Sequence, residues 1–255
     1  MGFLFAFLIG YLIMLRMFQQ ERVNTKHLES LVIYIFVATL VGARLGHCLF
    51  YEPDYFCTAD HWLEIFVPID IKTGHFTGYQ GLASHGAAIG ILLSILLFQH
   101  KHHVNAWWVI NRLAIVVALG GAFIRLGNLF NSEIYGHATT LPWGVIFERN
   151  GETVPKHPTQ IYESLSYLLI FIVCYSVYRH KGGQMHNGRL FGWWLIALFG
   201  ARFIIEFVKE EQVAFEQNMT LDMGQWLSMP FIALGVILVV LSHRGKIREG
   251  IFVKQ

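Results

Sequence analysis

Long apolar runs alternate with short polar segments along the chain. A bilayer core takes about 20 residues of helix to cross, and several runs approach or meet that length. The pattern predicts seven membrane-spanning helices: Gly2–Leu15, Glu29–Phe50, Leu82–Phe98, Ala106–Phe130, Ile161–Tyr178, Leu190–Val208 and Met223–Leu241. The first is short. It has neither a basic leading region nor a small-residue cleavage site, which predicts a retained helix more than a cleaved signal peptide. The fold class expected is an all-α integral membrane protein, one polytopic domain over residues 1–255, without a linker or low-complexity tract.

Composition strengthens that reading. Of the 255 residues 55% are hydrophobic and 14% charged, and the mean hydropathy is +0.47, too apolar for an ordinary soluble domain. A formal net charge of +2 without a basic tract argues against a nucleic-acid partner. Cys48, Cys57 and Cys174 form neither a zinc pattern nor an even-numbered disulfide framework. The histidines at 100, 102 and 103 lack the spacing of a closed metal site, so no metal is expected.

The placement of charge is more informative than its sum. Arg16, Arg22 and Lys26 follow the first run, Lys101 the third, Arg179, Lys181 and Arg189 the fifth, and Arg244, Lys246, Arg248 and Lys254 the last. The intervening connections are acidic, with Glu52, Asp54, Asp60, Glu64, Glu133, Glu148, Glu152, Glu210 and Asp222 among their residues. The positive-inside rule then puts the N-terminus outside and the C-terminus in the cytoplasm. Two longer connections, roughly Tyr51–Gly81 and Asn131–Gln160, fall outside as candidate substrate gates.

Ionisable groups at membrane depth are expensive and therefore point to function. Arg44, Arg125, Arg202, Glu163 and Glu206 fit that description. With this topology Arg44, Arg125, Arg202 and Glu206 reach the outer ends of rising helices, while His85, Gln160, Tyr162, Glu163 and Gln225 open descending ones. Arg125, Asn128 and Ser132 share one helical face, with Glu133 just beyond. Arg202 and Glu206 stand one turn apart, where an internal ion pair is the structural alternative to a ligand role. Arg44 has a snorkelling interfacial role as its alternative. Arginine suits a phosphodiester because its planar fork donates two parallel hydrogen bonds and stays charged. A site on lipid-facing helices meets phospholipid head groups first. His85 and His157 both qualify as proton acceptors; for His157 a structural role is preferred, in a helix start with Thr159 as its N-cap.

The motifs resemble a known family, the phosphatidylglycerol–prolipoprotein diacylglyceryl transferases of the bacterial plasma membrane. The resemblance covers nearly the whole chain and rests on Gly121–Glu133 (GAFIRLGNLFNSE), Ser84–Gly86, His157–Glu163 (HPTQIYE), Ala201–Phe207 (ARFIIEF) and Met223–Gln225, in the family's order. It implies transfer of the diacylglyceryl group of phosphatidylglycerol to the lipobox cysteine of preprolipoprotein signal peptides, forming a thioether and releasing glycerol phosphate. It implies no cofactor, and a multi-pass protein in the inner membrane with its active site toward the extracytoplasmic side. It also implies that Arg125 and Arg202 are essential, that His85 lies near the reaction centre, and that Asn128, Glu133 and Glu206 support it; Arg125, Arg202, His85 and Glu206 are the expected catalytic residues. Arg125, Asn128, Glu133, Tyr162, Gln160 and Arg44 are the substrate-binding ones. One turn before Arg202, where the family often has tyrosine, this chain has Leu198. A lipid transporter and a structural membrane subunit are the rival readings, and the absence of a polar route through the membrane midplane argues against the first.

Overall fold

The structure, a computed structural model, describes residues 2–50, 52–56, 61–65, 67, 75, 83–210, 221–247 and 250–252; the side chains of residues 2–4, 62, 63, 84 and 85 lie outside that description. The described helices are α1 (Gly2–Gln20), α2 (Thr25–Phe50), α3 (Pro53–Phe56), α4 (Ser84–His102), α5 (Ala106–Phe130), α6 (Thr159–His180), α7 (Arg189–Glu206) and α8 (Met223–His243), with short 3-10 turns at Trp62–Ile65 and Glu148–Asn150. Extended pairing among the described residues is confined to isolated bridges such as Val145 with Lys156. Each predicted apolar run overlaps a long helix.

The helix ends differ from the predicted runs because a helix does not stop where hydrocarbon stops. The first continues to Gln20, where Met17 and Phe18 are buried although the polar residues beside them end the apolar run. The second begins at Thr25 rather than Glu29, and the fifth runs on to His180. The sixth ends earlier, at Glu206, as Phe207 and Val208 turn out of it. Leu82, the predicted start of the third, lies outside the described residues.

Among the described residues four helices, α2, α5, α6 and α8, are long and apolar enough to cross a membrane. They bury little of their apolar surface within the chain: Ile33, Phe36, Leu165 and Leu169 are each more than half exposed. In water such a surface would drive aggregation; in lipid it is the solvated face. This is an all-helical membrane protein.

The chain divides into two compact units, one of residues 1–22 and 107–250, the other of residues 23–106 and 251–255. In the second unit α2 and α4 meet backbone to backbone. Gly42 and Gly46 oppose Gly86 and Gly90, and a Cβ placed on Gly46 would come within 2.7 Å of the Gly86 Cα. Small residues four apart on both helices permit this approach, the usual way lipid-solvated helices gain contact. In the first unit α7 and α8 do the same at Gly192 and Gly235, where an added Cβ would meet a carbonyl oxygen at 2.9 and 2.8 Å respectively. Here α1 is tied down at its end. Arg112, 1% exposed, donates to Glu21 through Nε (3.0 Å) and Nη2 (2.6 Å), and its guanidinium lies 4.5 Å from the Trp108 ring centre. Trp108 Nε1 also donates to Glu21, at 2.8 Å.

Candidate active site

The site in the first unit begins with the register between α5 and α6. Gly121 makes room for the Tyr167 ring, which a Cβ would approach to 2.9 Å. Beside it, Ser164 Oγ donates to the Ala122 carbonyl at 3.0 Å. One turn further, Arg125 Nε lies 2.7 Å from Glu163 Oε2. Glu163 is 0% exposed, and its contact with Arg125 is a charge pair without an aligned N–H···O bond. A carboxylate so placed must be neutralised by its partner, because burial of either charge alone is costly.

From Arg125 the network runs outward. Its Nη1 reaches Asn128 Oδ1 at 3.5 Å, and Asn128 Nδ2 donates to Glu133 Oε2 at 3.0 Å. Gln160 Nε2 donates to the Glu133 carbonyl at 2.7 Å, while its buried Oε1 has no hydrogen-bond partner. The chain leaves α5 through two left-handed residues, Ser132 (φ 58°) and Ile134 (φ 60°). Carbonyls left open by that turn are filled from the connection that follows: Phe130 by Arg149 (2.9 Å), Ser132 by Asn150 (2.7 Å) and Ile134 by Thr159 (2.8 Å). Thr159 is therefore not the N-cap expected of it. Pro158 holds the cap position without a side-chain bond, and the Thr159 hydroxyl is occupied by Ile134.

The same connection carries a charge cluster absent from the sequence-based site. Lys156 Nζ lies 2.9 Å from Glu152 Oε1 and 2.8 Å from Glu210 Oε1, above the Tyr135 ring. Burial pulls the Lys156 pKa down, but hydrogen bonds and charge from Glu210 and Glu152 outweigh it and raise it above the ordinary lysine value. Glu152 is held below the usual carboxylate value by hydrogen bonds from Lys156 and Tyr135.

On the other helices, Arg202 and Glu206 do not form the ion pair that their spacing allows. Glu206 pairs instead with Lys209 (3.2 Å), whose side chain is buried, and fills the space over Gly224 where a Cβ would stand. Gln225 closes the start of α8 in a capping box with Asp222 and donates to the Phe203 carbonyl at 3.3 Å. Arg202 thus has no carboxylate partner among the described residues, and its buried Nε makes no hydrogen bond. Tyr167, which is buried, stands close to both arginines.

The remaining predicted residues stand elsewhere. Tyr162 accepts from Trp143 Nε1 (2.8 Å) and bonds His157 Nδ1 (3.1 Å), forming an outward aromatic group. Arg44 belongs to the second unit, where it donates to the carbonyls of Glu64 (2.8 Å) and Ile65 (3.3 Å) and stacks on Phe56. The side chain of His85, at the start of α4, lies outside the described residues. Sequence reasoning missed the Glu163 partnership, Lys209, Tyr167 and the Lys156 cluster. Only Glu163 carried a signal, a carboxylate at membrane depth.

Fold and charge placement define the class, an α-helical membrane protein with two arginines at the α5–α8 end of one compact unit. The family described as prolipoprotein diacylglyceryl transferase matches residues 1–241, and the chain belongs to that family. A relative from Tolumonas auensis named phosphatidylglycerol–prolipoprotein diacylglyceryl transferase is 46% identical over 250 residues, 97% of this chain and 92% of the relative. One of the same name from Bacteroides fragilis is 41% identical over 240 residues, 93% and 86% respectively. Another, from Dechloromonas aromatica, is 35% identical over 227 residues, 88% and 81%.

Proposed function

We propose that this protein transfers the diacylglyceryl group of phosphatidylglycerol to the lipobox cysteine of preprolipoprotein signal peptides. The observation that carries this reading is the asymmetry of the two arginines. Arg125 is balanced by buried Glu163, whereas Arg202 faces no carboxylate among the described residues. A cation left uncompensated at the end of apolar helices calls for an anionic ligand, and the phosphate of a lipid head group supplies one.

In this reading the Nη edge of Arg125 and the guanidinium of Arg202 bind the phosphate. The cysteine thiolate attacks C3 of the diacylglyceryl moiety; the S–C bond forms as the C–O bond breaks, and the electron pair leaves on the phosphate oxygen as glycerol phosphate. Both arginines stabilise that developing charge. Asn128 and Glu133 hold the Arg125 face, Gln160 fixes the backbone of Glu133, and Glu206 with Lys209 shapes the ground beneath Gly224. The resemblance implies that His85 lies near the reaction centre, and in this reading it takes the thiol proton, directly or through water. A cysteine thiol ionises near pH 8.5 and needs only modest help, so the arginines contribute more than the base. Arg44 and Tyr162 complete the proposed substrate-binding residues.

The same reading makes the chain one polytopic domain of seven spans in the bacterial inner membrane, N-terminus outside and C-terminus cytoplasmic, with the chemistry on the extracytoplasmic side and no cofactor. The test is incubation with a lipobox peptide in phosphatidylglycerol-containing micelles. The peptide gains the mass of a diacylglyceryl unit and glycerol phosphate is released; a transporter or structural subunit would release none.

A further inference from the structure

A cavity of about 590 Å³ opens between α6 and α7, at the ends of these helices remote from Glu163 and Arg202. Val177 on its wall stands 14 residues beyond Glu163, about 21 Å along the axis at 1.5 Å per residue. It is therefore separate from the arginine site. Leu169, Val173 and Val177 form one wall at four-residue spacing, and Trp193 and Ala197 the other. Leu169, Val173 and Trp193 are each more than half exposed, so the groove opens sideways onto the face that lipid solvates.

Its mouth has a different chemistry. Lys181 and Arg189 stand there, and among the described residues no carboxylate lines the cavity. Arg189 Nη2 rests 3.4 Å from His243 Nδ1, a contact that does not neutralise its charge. Trp193, one turn into α7, sits where an aromatic side chain marks the boundary between head groups and hydrocarbon. An apolar slot with a single-sign cationic mouth matches an amphiphile with an anionic head. An extended peptide would bring backbone donors and acceptors that these walls cannot satisfy.

We propose that this groove holds one anionic phospholipid, its acyl chain along α6 and its phosphate between Lys181 and Arg189, as a resident lipid that is not turned over. Basic pockets between membrane helices recognise anionic lipid in this way. Under the orientation proposed above the lipid belongs to the cytoplasmic leaflet, the one opposite the chemistry. It would fasten together the far ends of the two helices that carry Glu163 and Arg202.

Native mass spectrometry of the delipidated full chain, titrated with phosphatidylglycerol or with phosphatidylcholine, tests this. The comparison is with the double variant Lys181→Gln/Arg189→Gln, and with Val173→Phe, which fills the groove from the lipid side without altering the core. The native chain is expected to bind one phosphatidylglycerol more than Val173→Phe. The double variant is expected to bind that lipid on the order of 30-fold more weakly for the loss of two cations. Unchanged stoichiometry and affinity in both variants, or phosphatidylcholine binding as tightly as phosphatidylglycerol, would overturn the proposal. Failure of the native chain to transfer lipid to peptide would count against the transferase reading alone, since this measurement records binding.

Discussion

Lysine at position 125 would keep the charge and lose the fork. Arg125 uses Nε toward Glu163 and Nη1 toward Asn128, so a single ammonium cannot meet the carboxylate and a phosphate together. Arg125→Lys is expected to lower turnover on the order of 100-fold, the scale of one lost transition-state donor, measured as diacylglyceryl mass gain on peptide. Near-normal turnover would mean that charge alone suffices. Glu163 gives a second test. Because it is fully buried, Glu163→Gln strands a guanidinium and should lower stability by about 3 kcal/mol. The double variant Arg125→Gln/Glu163→Gln should recover part of that loss in thermal melts, and equal additive losses would show that the two charges are uncoupled. Arg125 was legible in the sequence because a cation at membrane depth is rare enough to notice. Its partner was not, since the register that brings Glu163 beside it depends on Gly121 yielding to Tyr167 and on Ser164 reaching Ala122.

Helices in lipid hold together by closeness, and glycine marks where that closeness is greatest. A methyl group at Gly42 would meet the Gly86 carbonyl, so Gly42→Ala must force α2 and α4 apart and is expected to destabilise by at least about 2 kcal/mol. Gly200 on α7 has nothing within 4 Å of the added carbon, so Gly200→Ala should be neutral or stabilising by up to about 1 kcal/mol through helix propensity. Equal melting shifts for both substitutions would remove the contact argument. The outer connection is held by charge instead. Glu152, its pKa lowered, contributes stability that is present above the ordinary carboxylate value of about 4.5 and is lost as pH falls. Lys156, its pKa raised, contributes stability present below the ordinary lysine value of about 10.5 and lost as pH rises. Amide protection over residues 135–156, corrected for the intrinsic pH dependence of exchange, should therefore be greatest between these limits and fall outside them, and Lys156→Met should weaken that dependence. Apolar runs announced the helices. They could not announce this cluster, because Lys156 meets Glu210 only after the chain has passed through α6 and α7.

At the scale of the molecule, the crossing number decides the mechanism's geometry. Among the described residues four helices qualify as spans on length and apolarity, yet the apolar runs of the sequence predict seven. The difference has a physical source in α7, an 18-residue helix that carries Arg189, Arg202 and Glu206. Two of those charges lie in the candidate site, so function itself dilutes the signal by which a span is recognised. In α4 the polar end Gln99–His102 has the same effect, and of α1 only Phe5–Gln20 has described side chains. Sequence thus made the helices legible but left their mutual packing, and the division into two compact units, to tertiary contacts that periodicity does not encode. Reporter fusions separate the two counts. From the connection after α5 to the segment after α8, seven spans require three crossings, α6, α7 and α8, whereas four spans require two, α6 and α8. Alkaline phosphatase fused after Gly151 should be active and the same enzyme fused after Gly245 inactive. Activity at both points would leave α7 outside the set of crossing helices, and Arg202 would then lie along the surface instead of at the end of a span beside Arg125.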